Sequence, residues 1–421
     1  MACPILVAAA NDLPELPPGL PTRFSPRPGV IVDITRITNL AAELFVIRGG
    51  KRDVVWISNV WTEIGPPIDA SRLAWTRAVN ATTNEVLLHQ VDWSQGMGFT
   101  GIPSRSLWPL WRWCSQATAL QLQRGELDKA LMVTANALRI LHCSQGVPTT
   151  LSEIARQPFY GYEAPIWWLL QRDLNDAQLA TLQDTLSQLD FTVAHLRAIE
   201  LERAQMIQAC ETLLTDTAKA RILFGYNGTV SLHLWRLAPS HYDLGWYLQT
   251  VQSQIEGLRE AIEQRSFQHL FHRLGKTNSP PATHIFSKNF TWNVSSFHML
   301  PFKAETRREI QMTAIALNRF RLKHARYPEK LNELVPDFCE DIPVAWMNGR
   351  SLLYERTSDF FRLWSVGEDG VDQGGDPLHP RKNNWWMNGV DFVWPTAATP
   401  EETRQYAEDR FAEWKAATTK P

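Results

Sequence analysis

Four aspartates near the end of the chain have the residue type and spacing to do chemistry. Asp369, Asp372 and Asp376 put three carboxylates into the run Gly367-Glu368-Asp369-Gly370-Val371-Asp372-Gln373-Gly374-Gly375-Asp376, and Asp391 follows in Gly389-Val390-Asp391-Phe392. Carboxylates this close repel one another unless a cation or solvent compensates. Calcium fits such a set, because it takes about six to eight oxygens from carboxylates and main-chain carbonyls. The four glycines of the run allow the backbone to turn carbonyls inward. The spacing is not that of an EF-hand loop. The alternative reading is an acidic turn that water alone neutralises.

A short α+β unit must position these residues. Ile310, Ala314 and Leu317 give Arg307–Ala325 one apolar side, which predicts a helix. Arg326-Tyr327-Pro328 ends it, and Lys330–Leu334 reads as a second short helix. Asn348-Gly349 is a turn signal, and Leu352–Arg356 and Phe360–Ser365 read as the strands of a hairpin around Thr357-Ser358-Asp359. The acidic run leaves the second strand, and Asp391 would close the site from a following one.

Other motifs carry less. Gly96-Met97-Gly98-Phe99-Thr100-Gly101 is a literal G-x-G-x-x-G, the pattern of a dinucleotide loop. That fold needs a strand running directly into the glycines and a helix opening on them. Here Asp92–Gln95 intervenes before the loop and Pro103 delays the next helix, so a glycine turn is expected. His269 and His272 lie three apart on one helix face, a spacing that metal ligation permits, but no H-E-x-x-H accompanies them. They are expected to be surface or core histidines. Neither a G-x-S-x-G elbow nor a G-x-x-x-x-G-K-[ST] loop occurs, so no catalytic residue is assigned.

Composition bounds the rest. The 421 residues suffice for two or three domains, and 44% are hydrophobic, enough for a sizeable core. With 42 basic and 44 acidic residues the net charge is −2. No broad basic field is available for nucleic acid, so no nucleic-acid partner is expected. Eighteen tryptophans are read first as aromatic core and second as a ring-rich binding surface. The five cysteines are scattered with no CxxC, which excludes a zinc ribbon or a disulfide framework. Met1–Ala10 is apolar but too short to span a bilayer. It would suit the end of a longer anchor, and with it a peripheral membrane association.

Ahead of the tail the pattern is helical. Asn11–Gly29 is proline-rich and reads as an extended lead-in. Ile37, Leu40, Ala41, Leu44 and Phe45 predict a helix over Ile34–Ile47, stopped by Gly49-Gly50. Ser71–Val79 reads as a short helix. Ser106–Gln123 and Leu127–Leu141 form a helical hairpin, with Gly125 suited to a left-handed C′ position. Its G-x-x-x-x-A turn resembles that of a tetratricopeptide hairpin, although no 34-residue period follows. Asn175 or Asp176 caps Ala177–Leu189, whose Leu179, Leu182, Leu186 and Leu189 share one stripe. Phe191–Leu214 reads as a long helix with Glu200, Glu202 and Arg203 on a solvated face, and Tyr242–Phe271 as another.

The tail also carries a resemblance. The helix, His324-Ala325-Arg326-Tyr327-Pro328-Glu329-Lys330-Leu331-Asn332-Glu333-Leu334-Val335, then Asn348-Gly349, then Leu363-Trp364-Ser365-Val366-Gly367-Glu368-Asp369-Gly370 resemble the soluble C-terminal part of type II secretion major pseudopilins. The resemblance spans Arg307–Trp394, less than a quarter of the chain. It implies a short sheet packed on the helix and a calcium-binding loop after it, with Asp369, Asp372, Asp376 and Asp391 as the candidate ligands. The remainder looks like planctomycete and verrucomicrobial proteins that place a large helical region before such a tail. Ala345-Trp346 stands where the pseudopilin pattern has Asp-Pro. The segment between Asp376 and Asp391 is longer and more basic than in pseudopilins, with His379, Arg381 and Lys382. A long helical region precedes the module where pseudopilins have their methylated apolar segment, so a reused module is expected and not a filament subunit.

The expected architecture is therefore mainly α. A proline-rich lead-in (1–33) precedes a large helical domain with a tetratricopeptide-like hairpin (34–300). A small α+β pseudopilin-like module (301–394) and a C-terminal helix, Thr399–Lys420 within 395–421, complete the chain. The expected function is a non-catalytic interaction or envelope-assembly protein of a bacterial cell envelope. It would act on a protein partner, with calcium rigidifying the module. The alternative is an enzyme with its site in the helical domain.

Overall fold

The computed structural model describes residues 45–48, 51–54, 69, 114–115, 117–145, 164–216, 240–274, 284, 287, 294–357, 360–375, 391–394 and 396–397. The lead-in, Ser71–Val79, Gly96–Gly101, Asp376 and Thr399–Lys420 lie outside them. In chain order the elements are strands β1 (Phe45–Arg48) and β2 (Lys51–Val54), then helices α1 (Leu127–Gln145), α2 (Ala164–Leu170), α3 (Asp176–Ser187), α4 (Phe191–Thr215), α5 (Ser240–Glu263), α6 (Phe267–Leu274) and α7 (Val294–His324). A 3-10 turn, Leu331–Leu334, and strands β3 (Val344–Ala345), β4 (Arg350–Ser351), β5 (Leu353–Arg356), β6 (Phe361–Ser365), β7 (Phe392–Val393) and β8 (Thr396–Ala397) follow. The described part is mainly helical with small sheets.

The N-terminal reading needs correction. Phe45–Arg48 is a strand, paired antiparallel with β2, and Arg48 faces Lys51 in the register. Gly49-Gly50 suits a helix stop, but it is equally the pair favoured in two-residue hairpin connections. Strand β2 also pairs in parallel with β8.

The turn into α1 closes as its residues dictate. Gly125 has φ +74°, and the N–H groups of Gly125 and Glu126 donate to the carbonyls of Leu122 (3.2 Å) and Gln121 (2.9 Å). That is a Schellman closure with glycine at C′. Helix α3 is closed by a capping box: Asn175 Oδ1 accepts from the Gln178 N–H (2.9 Å), and the Asn175 N–H donates to Gln178 Oε1 (3.0 Å). All four leucines of its stripe are buried.

Two differences concern charged residues. The run on α4 is not a solvated face: Arg203 is 4% exposed and bonds to Gln252 of α5, and Glu200 pairs with Arg259 at 2.6 Å. The helix expected over Tyr242–Phe271 is two helices. The chain reverses at Arg265, a non-glycine residue at φ +50°, while Ser266 N–H reaches back to the Ala261 carbonyl at 2.8 Å.

Helix α7 organises the molecule. It begins thirteen residues before the predicted start and continues through Pro301. It therefore passes unbroken across position 300, the expected domain boundary. Its C-terminal half buries Ile310, Ala314, Leu317 and Phe320 in one core with α1, α2, α3 and the β5–β6 hairpin. Phe302, nearer its start, belongs to a second core with α4, α5, α6, Trp346 and Met347. Trp167, Trp168, Trp346 and Trp394 are nearly inaccessible in these cores, while Trp246 is half-buried.

The β3–β4 turn and the α5–α6 corner meet closely. The first two N–H groups of α6, from Phe267 and Gln268, donate to the carbonyls of Trp346 (2.9 Å) and Met347 (3.0 Å). Helix N-termini leave such donors without an intrahelical partner, and here the tail supplies the acceptors.

Candidate metal centre

Strand β6 sets the geometry of the acidic loop. Successive side chains of a strand face opposite ways. Leu363 points into the core at 0% exposed, while Arg362 and Trp364 belong to the other face, that of the loop. Strand β7 pairs antiparallel with β6, Ser365 opposite Phe392, and so brings Asp391 back beside residues 372–375. The predicted hairpin and the returning strand are both present.

Each described aspartate is engaged by loop donors. Asp369 Oδ1 accepts from the Val371 N–H (3.0 Å), and its Oδ2 from Gln373 Nε2 (3.1 Å). Asp372 Oδ1 accepts from the Gly374 N–H (2.8 Å) and from the Trp364 indole N–H (3.0 Å). Asp391 Oδ2 accepts from the N–H groups of Gln373 (3.0 Å) and Gly375 (2.9 Å), and the Asp391 N–H donates to Gln373 Oε1 (3.1 Å). Gln373 thus ties two of the carboxylates together. Asp391 Oδ1 is buried with no hydrogen-bond partner.

Burial pushes the Asp391 carboxyl above the ordinary carboxylate range. The Gly375 and Gln373 N–H bonds pull it down, and the Asp372 and Asp369 charges push it up again. The three carboxylates therefore share one electrostatic neighbourhood. As they stand, no three His, Cys, Asp or Glu side chains among the described residues form a group able to hold a metal ion.

The glycines differ in part from expectation. Gly370, Gly374 and Gly375 do have positive φ, 67°, 72° and 63°. The carbonyls of Gly374 and Gly375, however, turn to the Arg362 guanidinium, at 2.6 and 3.3 Å. Arg362 also lies over the Trp364 ring, 5.2 Å from its centroid. A Cβ on Gly375 would come within 2.9 Å of Trp364 Cδ2, so the indole and the loop backbone are in direct contact. On the loop's other side, Glu368 forms an ion pair with Lys303 of α7, which is 4% exposed.

Sequence reading singled out the aspartates and missed the groups that hold them: Arg362, Trp364, Gln373 and Lys303. The alternation along β6 was the available signal for the first two. Lys303 had none, since a lysine in a helix is ordinarily solvated. His269 contacts Glu260 at 3.3 Å. His298 instead lies in the core, its Nδ1 2.7 Å from His195 Nε2, and burial followed by the His195 charge holds it well below the usual histidine range.

No family model, curated protein or solved structure matches this chain. Among the described residues no helix is long and apolar enough to cross a membrane.

Proposed function

We propose that this is a non-catalytic interaction protein of the bacterial envelope whose pseudopilin-like tail is closed by calcium at Asp369, Asp372 and Asp391. Asp376, next in the chain after Gly375, would complete the set. The resemblance of Arg307–Trp394 to major pseudopilins supports the envelope assignment, and the helical part would supply the surface for a protein partner. The observation that carries the calcium reading is Asp391 Oδ1: a buried carboxylate oxygen with no donor, in a loop with two further carboxylates. Leaving such an atom unpaired is costly, and a hard cation is the partner that suits an all-oxygen set. Gly374 and Gly375 are not the main-chain ligands of choice, because their carbonyls already face Arg362. The cation would draw together carboxylates that repel one another without it.

Terbium, which substitutes for calcium and is sensitised by a nearby indole, tests this directly. Excitation of the tryptophans should give terbium emission that excess calcium removes. The emission should fall in Trp364→Phe and vanish in Asp391→Asn. Emission that calcium does not displace, or that survives in Asp391→Asn, would overturn the assignment.

A further inference from the structure

The calcium reading leaves unused a charge cluster, built around one fully buried carboxyl, where α4 meets α7. Glu305 of α7 is 0% exposed. Its Oε1 accepts from the Phe191 N–H, the first of α4, at 2.5 Å, and its Oε2 from Arg308 Nε at 2.6 Å. Asp190 caps the same helix end, its Oδ1 accepting from the Val193 N–H at 2.8 Å. Arg308 also reaches Glu309, with Nη2 3.4 Å from Oε1. Among the described residues, the charged groups around Glu305 are thus Asp190, the residue before α4, and Arg308 and Glu309 from its own helix, with Arg265 of the α5–α6 corner acting on Glu309. Gln145 at the end of α1 is the neutral neighbour, accepting from the Asp190 N–H at 3.3 Å.

Of these groups only Glu305 is out of reach of water. Asp190 is exposed, Arg308 and Glu309 are partly exposed, and Arg265 offsets Glu309 from the far side, so the uncompensated desolvation falls on Glu305. The partial positive charge of a helix N-terminus, about half a unit, offsets only part of it. A proton is the cheapest remaining compensation, and the carboxyl with no exposure gains most from taking it. The Glu305 carboxyl also has a place for the consequence. A neutral carboxyl has one oxygen that serves poorly as an acceptor, so one of its two bonds must weaken. Glu309 stands ready to receive the guanidinium.

We propose that the α4–α7 junction carries an exchangeable proton on Glu305. Ionised, this carboxyl bridges Phe191 and Arg308; neutral, it keeps α4 and passes Arg308 to Glu309. Burial drives the Glu305 carboxyl up to about 7, with Arg308 working against the rise. The exchange therefore falls near neutral pH. The folded value lies above the unfolded one, about 4.3, so the folded state keeps a proton that the unfolded state releases. The associated stability is fully present below the unfolded value and is lost as pH rises through about 7.

The test is carboxyl ¹³C NMR of glutamate-labelled protein, with Glu305 assigned by the signal missing in Glu305→Gln. Titration with a midpoint near neutrality is expected, and a midpoint in the ordinary glutamate range overturns the proposal. Urea midpoints give an independent readout. From about pH 5 to about pH 8 the wild type should lose stability relative to Glu305→Gln. The difference between the two profiles removes the shared contributions of His298 and Lys303, and profiles that run parallel overturn the proposal. Should Glu305→Gln fail to fold, Glu309→Gln decides. Removing that charge should shift the wild-type stability change to lower pH, and an unmoved profile overturns the proposal.

Discussion

Gly349→Ala should destabilise the protein more than Gly125→Ala, although the two glycines have the same φ of +74°. An alanine at either position meets the left-handed penalty, roughly 1–2 kcal/mol. At Gly125 that is all, since a Cβ there has no heavy atom within 4 Å. At Gly349 the Cβ would sit 3.1 Å from the Gln264 carbonyl oxygen and 3.3 Å from Ser266 Cβ. Neither atom is the free end of a side chain, so the α5–α6 corner has to retreat. That retreat stretches the two bonds from the start of α6 to the Trp346 and Met347 carbonyls. Each is worth about 1 kcal/mol, which puts Gly349→Ala about 1–2 kcal/mol beyond Gly125→Ala. Urea unfolding of both variants, followed by tryptophan fluorescence and far-UV circular dichroism, measures the difference. Equal losses would refute the claim that the tail turn and the helical corner are rigidly docked.

Two further outcomes follow from buried groups. Breaking the Lys303–Glu368 pair as Lys303→Met or Glu368→Gln should destabilise the protein, and Glu368→Gln more so below about pH 7, where the buried Lys303 amine, already depressed to about 7 by burial, carries its proton without a partner. The double variant should recover part of that loss in the same urea assay, and a strictly additive double would refute the coupling. Burial pushes the Cys339 thiol up to about 12, with the Glu309 charge adding to it, and raises buried Cys114 well above its usual value. Neither should react with iodoacetamide in the native protein at mildly alkaline pH, whereas both should in urea, as peptide mass mapping will show.

What the sequence made legible followed from regular patterns. The leucine stripe and Asn175 located α3 to within a residue of its start. The tail's turn signals and alternating strands likewise gave the β5–β6 hairpin and the return of Asp391. What it concealed was polar burial. The first turns of α7 carry His298, Lys303, Glu305 and Thr306, all inside, so apolar periodicity finds no helix there, and Pro301 argues for a break. His298, Lys303 and Glu305 find partners on other elements, which no local pattern reports, while Thr306 bonds to the Phe302 carbonyl of its own helix. Arg203 misled for the same reason. Arg265 hid the α5–α6 corner by adopting a left-handed conformation without being glycine. In the acidic loop, residue types identified the carboxylates, whereas the destinations of the glycine carbonyls depended on Arg362, a residue of the preceding strand.

The unbroken course of α7 has a mechanical meaning. Its 31 residues at 1.5 Å each make a rod of about 46 Å, clamped near one end by α4, α5 and α6 and along the other by α3 and the β5–β6 hairpin. A hinge needs a few residues free to change their backbone angles, and a hydrogen-bonded helix packed along both halves offers none at position 300. A pull or twist applied to the tail would thus be delivered to the helical part with little lost on the way, as through a shared axle.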